Sequence, residues 1–281
     1  MRGIGRASGA VSIVNAIPTG IGCAVGVRLY VHAEAELDRA GAPAFEVDPP
    51  ASDTPVVRAA YRLALEAVGV REPISGRLRI DSEVPVGRGL KSSSAVASAT
   101  AQAVLDAFGR RGGPEEVARL SAGAGRDSRA SATGAFDDAL AGLRPGFVLT
   151  DNRHDRLLRS APVGSGWAAV VHLPAERHGP VPDLVERFRS EVEGGRAAAE
   201  EALAGRWAEA MERNTRVVER AMGYDYGELR RALVRAGAWA SGVSGVGPAY
   251  VALADRSTLG AVVAAMPPER FAVPLVSGAL P

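Results

Sequence analysis

The alternation of apolar and polar residues predicts strands at the beginning of the chain. Residues 7–17 place Val11 and Ile13 on one face of an extended segment, and residues 23–35 continue with small and β-branched side chains. Side chains two positions apart in a strand share a face, so the polar Asn15 falls on the face of Val11 and Ile13. Asn15 is therefore either a core amide with satisfied hydrogen bonds or a side chain that points into a site.

Two further segments have the spacing of a helix and of a half-buried strand. In residues 55–68 apolar side chains recur at helical intervals, which predicts a helix with Thr54 as its N-cap and Pro55 at its first position. Residues 75–84 alternate apolar and charged side chains, as in a strand with one solvated face. That strand leads directly into a loop rich in glycine and serine.

This loop and the helix after it predict a phosphate-binding site. Alanine recurs through residues 92–108 and favours a helix, so the local order is strand, loop, helix. The N-terminus of such a helix directs unpaired N–H groups and a partial positive charge at the loop, which attracts anions. Ser92, Ser93 and Ser94 add hydroxyls that can cap the helix, hold phosphate or bind a magnesium ion, whereas capping alone needs one serine.

Lys91, within this loop, is the only lysine of the chain, and every other strong base is an arginine. An ammonium is a compact point charge, while a guanidinium is a planar fork. A lysine kept at this one position indicates a role that arginine does not fill, such as contact with a phosphate. An ordinary turn that carries a lysine by chance is the alternative.

Two well-known phosphate motifs do not fit the loop. The P-loop needs a glycine directly before its lysine, where the chain has Leu90, and the dinucleotide fingerprint starting at Gly87 would need a third glycine at Ser92. The remaining pattern, Pro-x-x-x-Gly-Leu-Lys-Ser-Ser-Ser-Ala in residues 85–95, resembles the second motif of the GHMP kinases. This superfamily includes galactokinase, homoserine kinase and mevalonate kinase. The Gly-Leu-Lys-Ser-Ser-Ser-Ala form is similar to that of the archaeal-type shikimate kinases.

A pair of carboxylates forms the second chemical signal. Asp137 and Asp138 follow a loop of small residues that begins at residue 130. Adjacent side chains point in opposite directions on a strand and do not face each other on a helix, so we expect one carboxylate to face a site. A helix N-terminus that merely prefers acidic residues is the alternative. Thr-Gly-Ala-Phe-Asp-Asp resembles the GHMP catalytic loop, which implies that Asp137 takes the catalytic position and Asp138 is its neighbour.

A third glycine-rich stretch lies near the end of the chain. Glycine loses more backbone entropy on folding than other residues do, so the many glycines in residues 241–250 indicate a loop that closely approaches another group. Residues 244–248 resemble the third GHMP motif, Ser-Gly-x-Gly-Pro. The segment Gly-Ala-Val-Ser-Ile-Val-Asn-Ala-Ile, residues 9–17, resembles the stretch that lines the pocket in the superfamily.

The resemblance implies an α+β chain with the GHMP kinase fold. Residues 1–155 would form an N-terminal domain of the ribosomal-protein-S5-domain-2-like type, and residues 156–281 a C-terminal ferredoxin-like domain. The predicted order of strand, helices, strand, helix and strand in the second half also fits a ferredoxin-like domain. The charged residues 151–159, followed by Pro162, mark the expected boundary.

The resemblance also assigns site residues and cofactors. Lys91 and Asp137 are the expected catalytic residues: Lys91 and the loop amides would hold the triphosphate of ATP, and Asp137 would accept or orient the proton of the attacking hydroxyl. Ser93 is the expected ligand of Mg²⁺. The expected substrate-binding residues are Asn15, Asp137, Gly245 and Gly247, and the expected ATP-binding residues are Pro85, Val86, Gly87, Arg88, Gly89, Leu90, Lys91, Ser92, Ser93, Ser94 and Ala95.

The expected reaction is phosphorylation of shikimate to 3-phosphoshikimate in aromatic amino-acid biosynthesis. Shikimate needs a cation for its carboxylate, but the many arginines do not single one out. One feature departs from the relatives, which place a glutamate on the helix before the aspartate loop as a second magnesium ligand. Residues 121–126 contain no carboxylate, and neither Asp127 nor Glu116 is assigned in its place. The alternatives are another small-alcohol kinase, such as homoserine kinase, and a nucleotide-binding sensor with weakened catalysis.

The composition limits the binding partners and the cellular location that we expect for the protein. The chain has 33 basic and 32 acidic residues without a block of like charge, so neither nucleic acid nor a membrane is an expected partner. The single Cys23 excludes an intrachain disulfide and a cysteine-based zinc site. The sequence shows neither a signal-peptide pattern nor an apolar stretch of membrane-spanning length, which predicts a cytoplasmic protein. It predicts no particular oligomeric state.

Overall fold

The computed structural model describes residues 1–39, 44–72, 74–174 and 183–278. A mixed sheet organises the first half of the chain, and its centre is the long strand β2, which pairs with β1 along one edge. Along its other edge β2 pairs with β5 near its beginning and with β4 near its end. The strands are β1 (Arg2–Val14), β2 (Ile21–Asp38), β3 (Phe45–Asp48), β4 (Ser75–Ser82), β5 (Phe147–Asp151) and β6 (Arg156–Ala161).

One helix packs directly on β1 and β2, and its small side chains explain how closely it does so. This helix is α2, and a β-carbon on Gly5 of β1 would lie 2.0 Å from the carbonyl oxygen of Ala99 in α2. The helix predicted from the alanines of residues 92–108 is confirmed. Two other helices pack against α2 and against each other. The helices of this half are α1 (Pro55–Ala67), α2 (Ser92–Ala107), α3 (Pro114–Asp127) and α4 (Phe136–Ala141).

The second half contains an antiparallel sheet with the strand order β10-β7-β9-β8. This order, with helices between the strands, is the ferredoxin-like arrangement. The predicted fold class is confirmed. The elements are β7 (Ala168–His172), α5 (Leu184–Arg187), α6 (Val192–Leu203), α7 (Trp207–Met222), α8 (Gly227–Arg235), β8 (Ala240–Val243), β9 (Tyr250–Ala254), α9 (Leu259–Ala265) and β10 (Arg270–Pro274).

The two halves are joined by a shared apolar core and by backbone hydrogen bonds. Phe147 of β5 stacks on Trp207 of α7 with the ring centroids 5.3 Å apart. After β10 the chain returns to the first sheet, where the amide of Val276 donates to the carbonyl of Gly26 at 2.9 Å. These contacts hold the two halves together around the groove between them.

The glycines in the helical region of residues 185–222 have different structural roles. Gly205 separates α6 from α7. Gly194 and Gly195 lie inside α6, and a β-carbon on Gly195 would lie 2.7 Å from Cγ of Pro18. Glycine at this position therefore allows α6 to pack on the loop that follows β1.

Two short strands, β3 and β8, were not predicted, because four residues give too little periodicity to recognise. The boundary at residues 155 and 156 stays a prediction. The hydrogen-bonding pattern places β6, Arg156–Ala161, in the first sheet beside β5. Among the described residues, no helix combines the length and the apolar character needed to cross a membrane.

Candidate active site

A cavity of about 480 Å³ lies where the three glycine-containing segments of the sequence meet. The end of β1, the loop before α2 and the loop after β8 each form part of its wall, and the residues before and within α4 close it. The four predicted substrate-binding residues, Asn15, Asp137, Gly245 and Gly247, all line it.

The predicted ATP-binding loop contributes to the wall with most of its residues. Leu90 and Ala95 are instead buried in the core, and Arg88 donates a hydrogen bond to the carbonyl of Pro174. Pro85 also lies outside the lining. The residues of this loop that line the cavity are Val86, Gly87, Gly89, Lys91, Ser92, Ser93 and Ser94.

Hydrogen bonds fasten the glycine-rich loop after β8 to β1 and to the loop before α2. The hydroxyl of Ser244 donates to the carbonyl of Gly89 at 2.7 Å and accepts from the amide of Ser12 at 3.1 Å. The amide of Gly245 donates to the hydroxyl of Ser12 at 3.1 Å. A β-carbon on Gly89, whose φ is +79°, would lie 2.6 Å from the carbonyl oxygen of Ser244. The close approach predicted from the dense glycines is confirmed.

Asn15 is both a satisfied amide and part of the cavity wall. Its Nδ2 donates to the carbonyl of Gly245 at 3.1 Å, and its Oδ1 accepts from the amide of Ile17 at 2.8 Å. Its own amide donates to Oδ1 of Asn214 in α7 at 2.8 Å. Asn15 therefore holds the end of β1 against both the glycine loop and the second half of the chain.

Lys91 occupies a conformation that is uncommon for a residue with a side chain. With φ of 66° it is left-handed, and it immediately precedes α2 as the N-cap residue. Residues held this way concentrate at functional sites. The side chain of this N-cap residue makes no capping hydrogen bond within the described part of the chain. The ammonium Nζ lies 3.1 Å from Oδ2 of Asp138, and both side chains are largely buried.

Asp137 and Asp138 lie in the first turn of α4, and both line the cavity. The expectation that only one carboxylate faces a site is wrong, because the chain enters α4 at the cavity wall through the left-handed residue Ala135. The two roles differ: Asp138 pairs with Lys91, while its Oδ1 has no hydrogen-bond partner among the described residues. Asp137 makes no pair with Lys91 that would neutralise it directly.

Asp137 is held by a neighbouring side chain that the sequence did not reveal. Nδ2 of Asn152 donates to Oδ1 of Asp137 at 2.7 Å, and the amide of Asp137 donates to Oδ1 of Asn152 at 3.2 Å. Thr150 in turn donates to Oδ1 of Asn152 at 2.6 Å. On the other side, a β-carbon on Gly22 would lie 2.4 Å from Oδ2 of Asp137. The only signal in the sequence for Asn152 is an amide placed directly after an apolar strand.

Burial makes both carboxylates harder to ionise. It raises the pKa of Asp137 to about 7, and the adjacent Asp138 adds to the rise, whereas Lys91 and Asn152 oppose it. Burial also raises the pKa of Asp138, and the ammonium of Lys91 opposes that shift. A carboxyl group with a pKa near neutrality is suited to accept a proton at physiological pH.

The two acids considered in place of the missing glutamate lie elsewhere. Asp127 forms an ion pair with Arg62, and Glu116 forms one with Arg110 at 2.5 Å. Neither lines the cavity. In the part of the chain that the structure describes, Asp137 and Asp138 are the acidic side chains on its wall.

Comparison with known families gives matches in both halves of the chain. Residues 55–146 match the family described as GHMP kinases N terminal domain, and residues 197–273 match GHMP kinases C terminal. Among curated proteins, the chain is 35% identical to a shikimate kinase of Methanosarcina acetivorans, over 88% of this chain and 83% of that protein. It is 32% identical to a shikimate kinase of Pyrococcus abyssi, over 91% of this chain and 93% of that protein.

Solved structures of low sequence identity share the fold. The homoserine kinase from Cytophaga hutchinsonii superposes with a TM-score of 0.71 at 17% identity, covering 99% of this chain and 96% of that chain. The mevalonate kinase of L. major gives a TM-score of 0.71 at 16% identity, covering 100% of this chain and 97% of that chain. At such identity the likeness concerns the fold alone.

Proposed function

The chain belongs to the GHMP kinase family, and on that premise we propose that it is a kinase that uses ATP to phosphorylate shikimate to 3-phosphoshikimate. The relatives named shikimate kinase match it along most of their own length. The observation that carries the proposal is the buried Asp137, which lines one cavity together with Lys91 and the amino end of α2. The role in aromatic amino-acid biosynthesis follows from this reaction, and the cytoplasmic location stays a prediction.

The nucleotide side of the cavity supplies positive charge and N–H groups. Lys91 provides the ammonium, and α2, with 16 residues, presents its unpaired N–H groups at the same end. Gly87 and Gly89 allow the backbone of the loop to approach the phosphates. These groups would bind the triphosphate and neutralise the charge that develops on the transferred phosphoryl group.

The donor atoms around Lys91 suit a nucleotide-bound Mg²⁺. Magnesium takes oxygen ligands, keeps several waters and usually binds through few protein groups together with phosphates. The cavity offers the hydroxyl of Ser93 and the carboxyl oxygens of Asp137 and Asp138, and Oδ1 of Asp138 has no hydrogen-bond partner among the described residues. Ser93 would hold the metal, which would shield the phosphate charge when bound.

Asp137 would accept the proton of the acceptor hydroxyl. As the hydroxyl oxygen bonds to the γ-phosphorus and the bond to the ADP oxygen breaks, the hydroxyl proton passes to the carboxylate of Asp137. Asn152 keeps this carboxylate in place by its hydrogen bond of 2.7 Å. Asp138 balances the charge of Lys91 and leaves Asp137 free of an ion pair.

An ADP-release assay with shikimate, homoserine, mevalonate and galactose tests the proposal. We expect turnover with shikimate and at least about a hundredfold lower kcat/KM with the other three alcohols, because a site that hydrogen-bonds the polar groups of its substrate rejects analogues that lack them. Preferred turnover of homoserine would identify another small-alcohol kinase. Tight ATP binding without turnover of any alcohol would identify a nucleotide sensor and overturn the proposal.

A further inference from the structure

A second cavity, of about 430 Å³, adjoins the first, and Lys91 is not part of its wall. Asn152, whose side chain donates to Asp137, lies in its wall. Two arginines, Arg126 and Arg153, bring positive charge to it. The two cavities share part of their walls, and the hydrogen bond from Asn152 to Asp137 joins the wall of the second cavity to the wall of the first. The shared residues are Ala16, Ile17, Ala132 and Thr133.

Three cations line the two cavities within the described residues, and two of them already have acidic partners. Lys91 pairs with Asp138 at 3.1 Å. Arg126 forms a bidentate ion pair with Asp155, in which Nη1 donates to Oδ1 at 3.0 Å and Nη2 donates to Oδ2 at 2.5 Å. The pKa of Arg126 is raised by this hydrogen bonding, as expected for a cation whose partner stabilises its charged form.

Arg153 is the remaining cation, and the described part of the chain offers its guanidinium neither an ion pair nor a hydrogen bond. Two acids lie two residues from Arg153 in the sequence: Asp155 pairs with Arg126, and Oδ2 of Asp151 contacts Nδ1 of His154 at 2.7 Å. Its Oδ1 accepts a hydrogen bond from the backbone amide of Arg153 at 3.0 Å. The local acids are therefore used by other groups, and the charge of Arg153 is left for a ligand.

The position of Arg153 relative to Asp137 fits a small acidic substrate. A β-carbon on Gly20 would lie 2.6 Å from Nε of Arg153, and one on Gly22 would lie 2.4 Å from Oδ2 of Asp137. Gly20 and Gly22 are two residues apart, which is about 7 Å at most, so the side chains of Arg153 and Asp137 approach neighbouring points on one short segment. A ring that carries a hydroxyl and a carboxylate can place the hydroxyl at Asp137 and the carboxylate at Arg153.

We propose that Arg153 binds the carboxylate of the substrate and so selects an acidic alcohol as the phosphoryl acceptor. The inference rests on the proposed function and deepens it. A guanidinium presents two parallel N–H groups that match the two oxygens of a carboxylate. The residue is a specificity determinant: it contacts the substrate at the end opposite the reacting hydroxyl.

The test combines two variants of Arg153 with a matched control. Arg153→Gln removes the charge, and Arg153→Lys keeps the charge without the planar fork. Arg156→Gln is the control, because Arg156 is also exposed, lies three residues away and lines neither cavity. Calorimetry would measure shikimate binding, and steady-state kinetics would give KM for shikimate and for ATP separately.

We expect Arg153→Gln to weaken shikimate binding by about ten- to a hundredfold, the usual range for a hydrogen bond to a charged group. KM for ATP would stay within about twofold, Arg153→Lys would fall between the wild type and Arg153→Gln, and Arg156→Gln would match the wild type. The methyl ester of shikimate would bind the wild type weakly, and Arg153→Gln would no longer distinguish the ester from the acid.

The inference would be overturned by unchanged shikimate affinity in Arg153→Gln, or by an equal loss of affinity in Arg156→Gln. If the wild type still phosphorylated shikimate, the proposed function would stand in either case. A wild-type protein that neither binds nor phosphorylates shikimate would overturn both. Thermal melting of each variant separates a loss of binding from a loss of folding, and the exposed position of both arginines makes unfolding an unexpected result.

Discussion

The two walls of the active-site cavity are built in different ways. The nucleotide wall comes mainly from one continuous segment, in which Lys91 and three serines pass directly into α2. The acceptor wall is assembled from separate parts of the chain: the loop after β1, the first turn of α4 and the residues after β5. A continuous segment can tolerate small movements as a unit, whereas an assembled wall depends on each contact between its parts.

The contacts of Asp137 show this dependence. Asn152 holds one carboxylate oxygen, and the absence of a side chain at Gly22 leaves room for the other. We therefore expect single substitutions in the acceptor wall to lower turnover steeply and leave nucleotide binding intact. Substitutions in the nucleotide wall should weaken nucleotide binding.

The largest effect is expected for Asp137→Asn. The amide keeps the shape of the side chain and can still accept the hydrogen bond from Asn152, but it cannot take the proton of the acceptor hydroxyl. Turnover should fall by about 10²–10⁴-fold, the usual contribution of a general base. Single-turnover kinetics and a nucleotide-binding titration check this, and full activity or a parallel loss of ATP affinity would contradict the assigned role.

A smaller but still large loss is expected for Gly22→Ala. The added methyl group would meet Oδ2 of Asp137 at 2.4 Å and displace the carboxylate. A misplacement of that kind costs about 10²-fold in kcat. Gly260→Ala is the control, because no atom lies within 4 Å of the added carbon there. Equal kcat in the two variants would show that the acceptor wall is more tolerant than its contacts indicate.

The nucleotide wall is tested by Lys91→Arg, which retains the charge. Nζ of Lys91 lies 3.1 Å from Oδ2 of Asp138, and an arginine would spread its charge over a larger, planar guanidinium farther from the backbone, so it would not reproduce this compact contact. We expect ATP affinity to fall by about tenfold, or about 1.4 kcal/mol. Calorimetry with ATP measures it, and an unchanged Kd would mean that the single lysine is an accident of composition.

The same contrast explains what the sequence revealed. The loop before α2 and the start of the helix at Ser92 could be predicted because the motif is one continuous segment, although Pro85, Arg88, Leu90 and Ala95 do not line the cavity. Asp137 was singled out by the local motif Thr-Gly-Ala-Phe-Asp-Asp, but the sequence could not show that both Asp137 and Asp138 face the cavity. Asn152 and Arg153 escaped prediction because their roles arise from the pairing of β5 with β2, which brings Asp151 beside Ile21.

The smallest effect concerns stability and pH. The pKa of Asp137 is raised from 3.8 to about 7, so between these values the folded protein holds a proton that the unfolded chain has released. This contribution to stability is fully present below pH 4 and is lost as the pH rises through 7. Without nucleotide, Asp137→Asn should therefore melt higher than the wild type at pH 8.

The two proteins should melt at similar temperatures at pH 4, where both side chains are uncharged. The difference should grow as the pH rises from 4 to 8, at about 2–4 °C for each kcal/mol of stability. Calorimetric melting of both proteins from pH 4 to 8 checks the sign. A wild type that gains stability relative to Asp137→Asn as the pH rises would show that Asp137 is not the poorly solvated carboxyl described above.

The most direct test of the account follows the γ-phosphate itself. ATP labelled in its γ-phosphate is incubated with shikimate and either the wild type or Asp137→Asn, and the products are identified by phosphorus NMR and mass spectrometry. The account predicts one labelled phosphate on a ring hydroxyl of shikimate for each ADP formed by the wild type, and almost none with the variant. Unphosphorylated shikimate after complete incubation with the wild type, or equal product from both proteins, would contradict it.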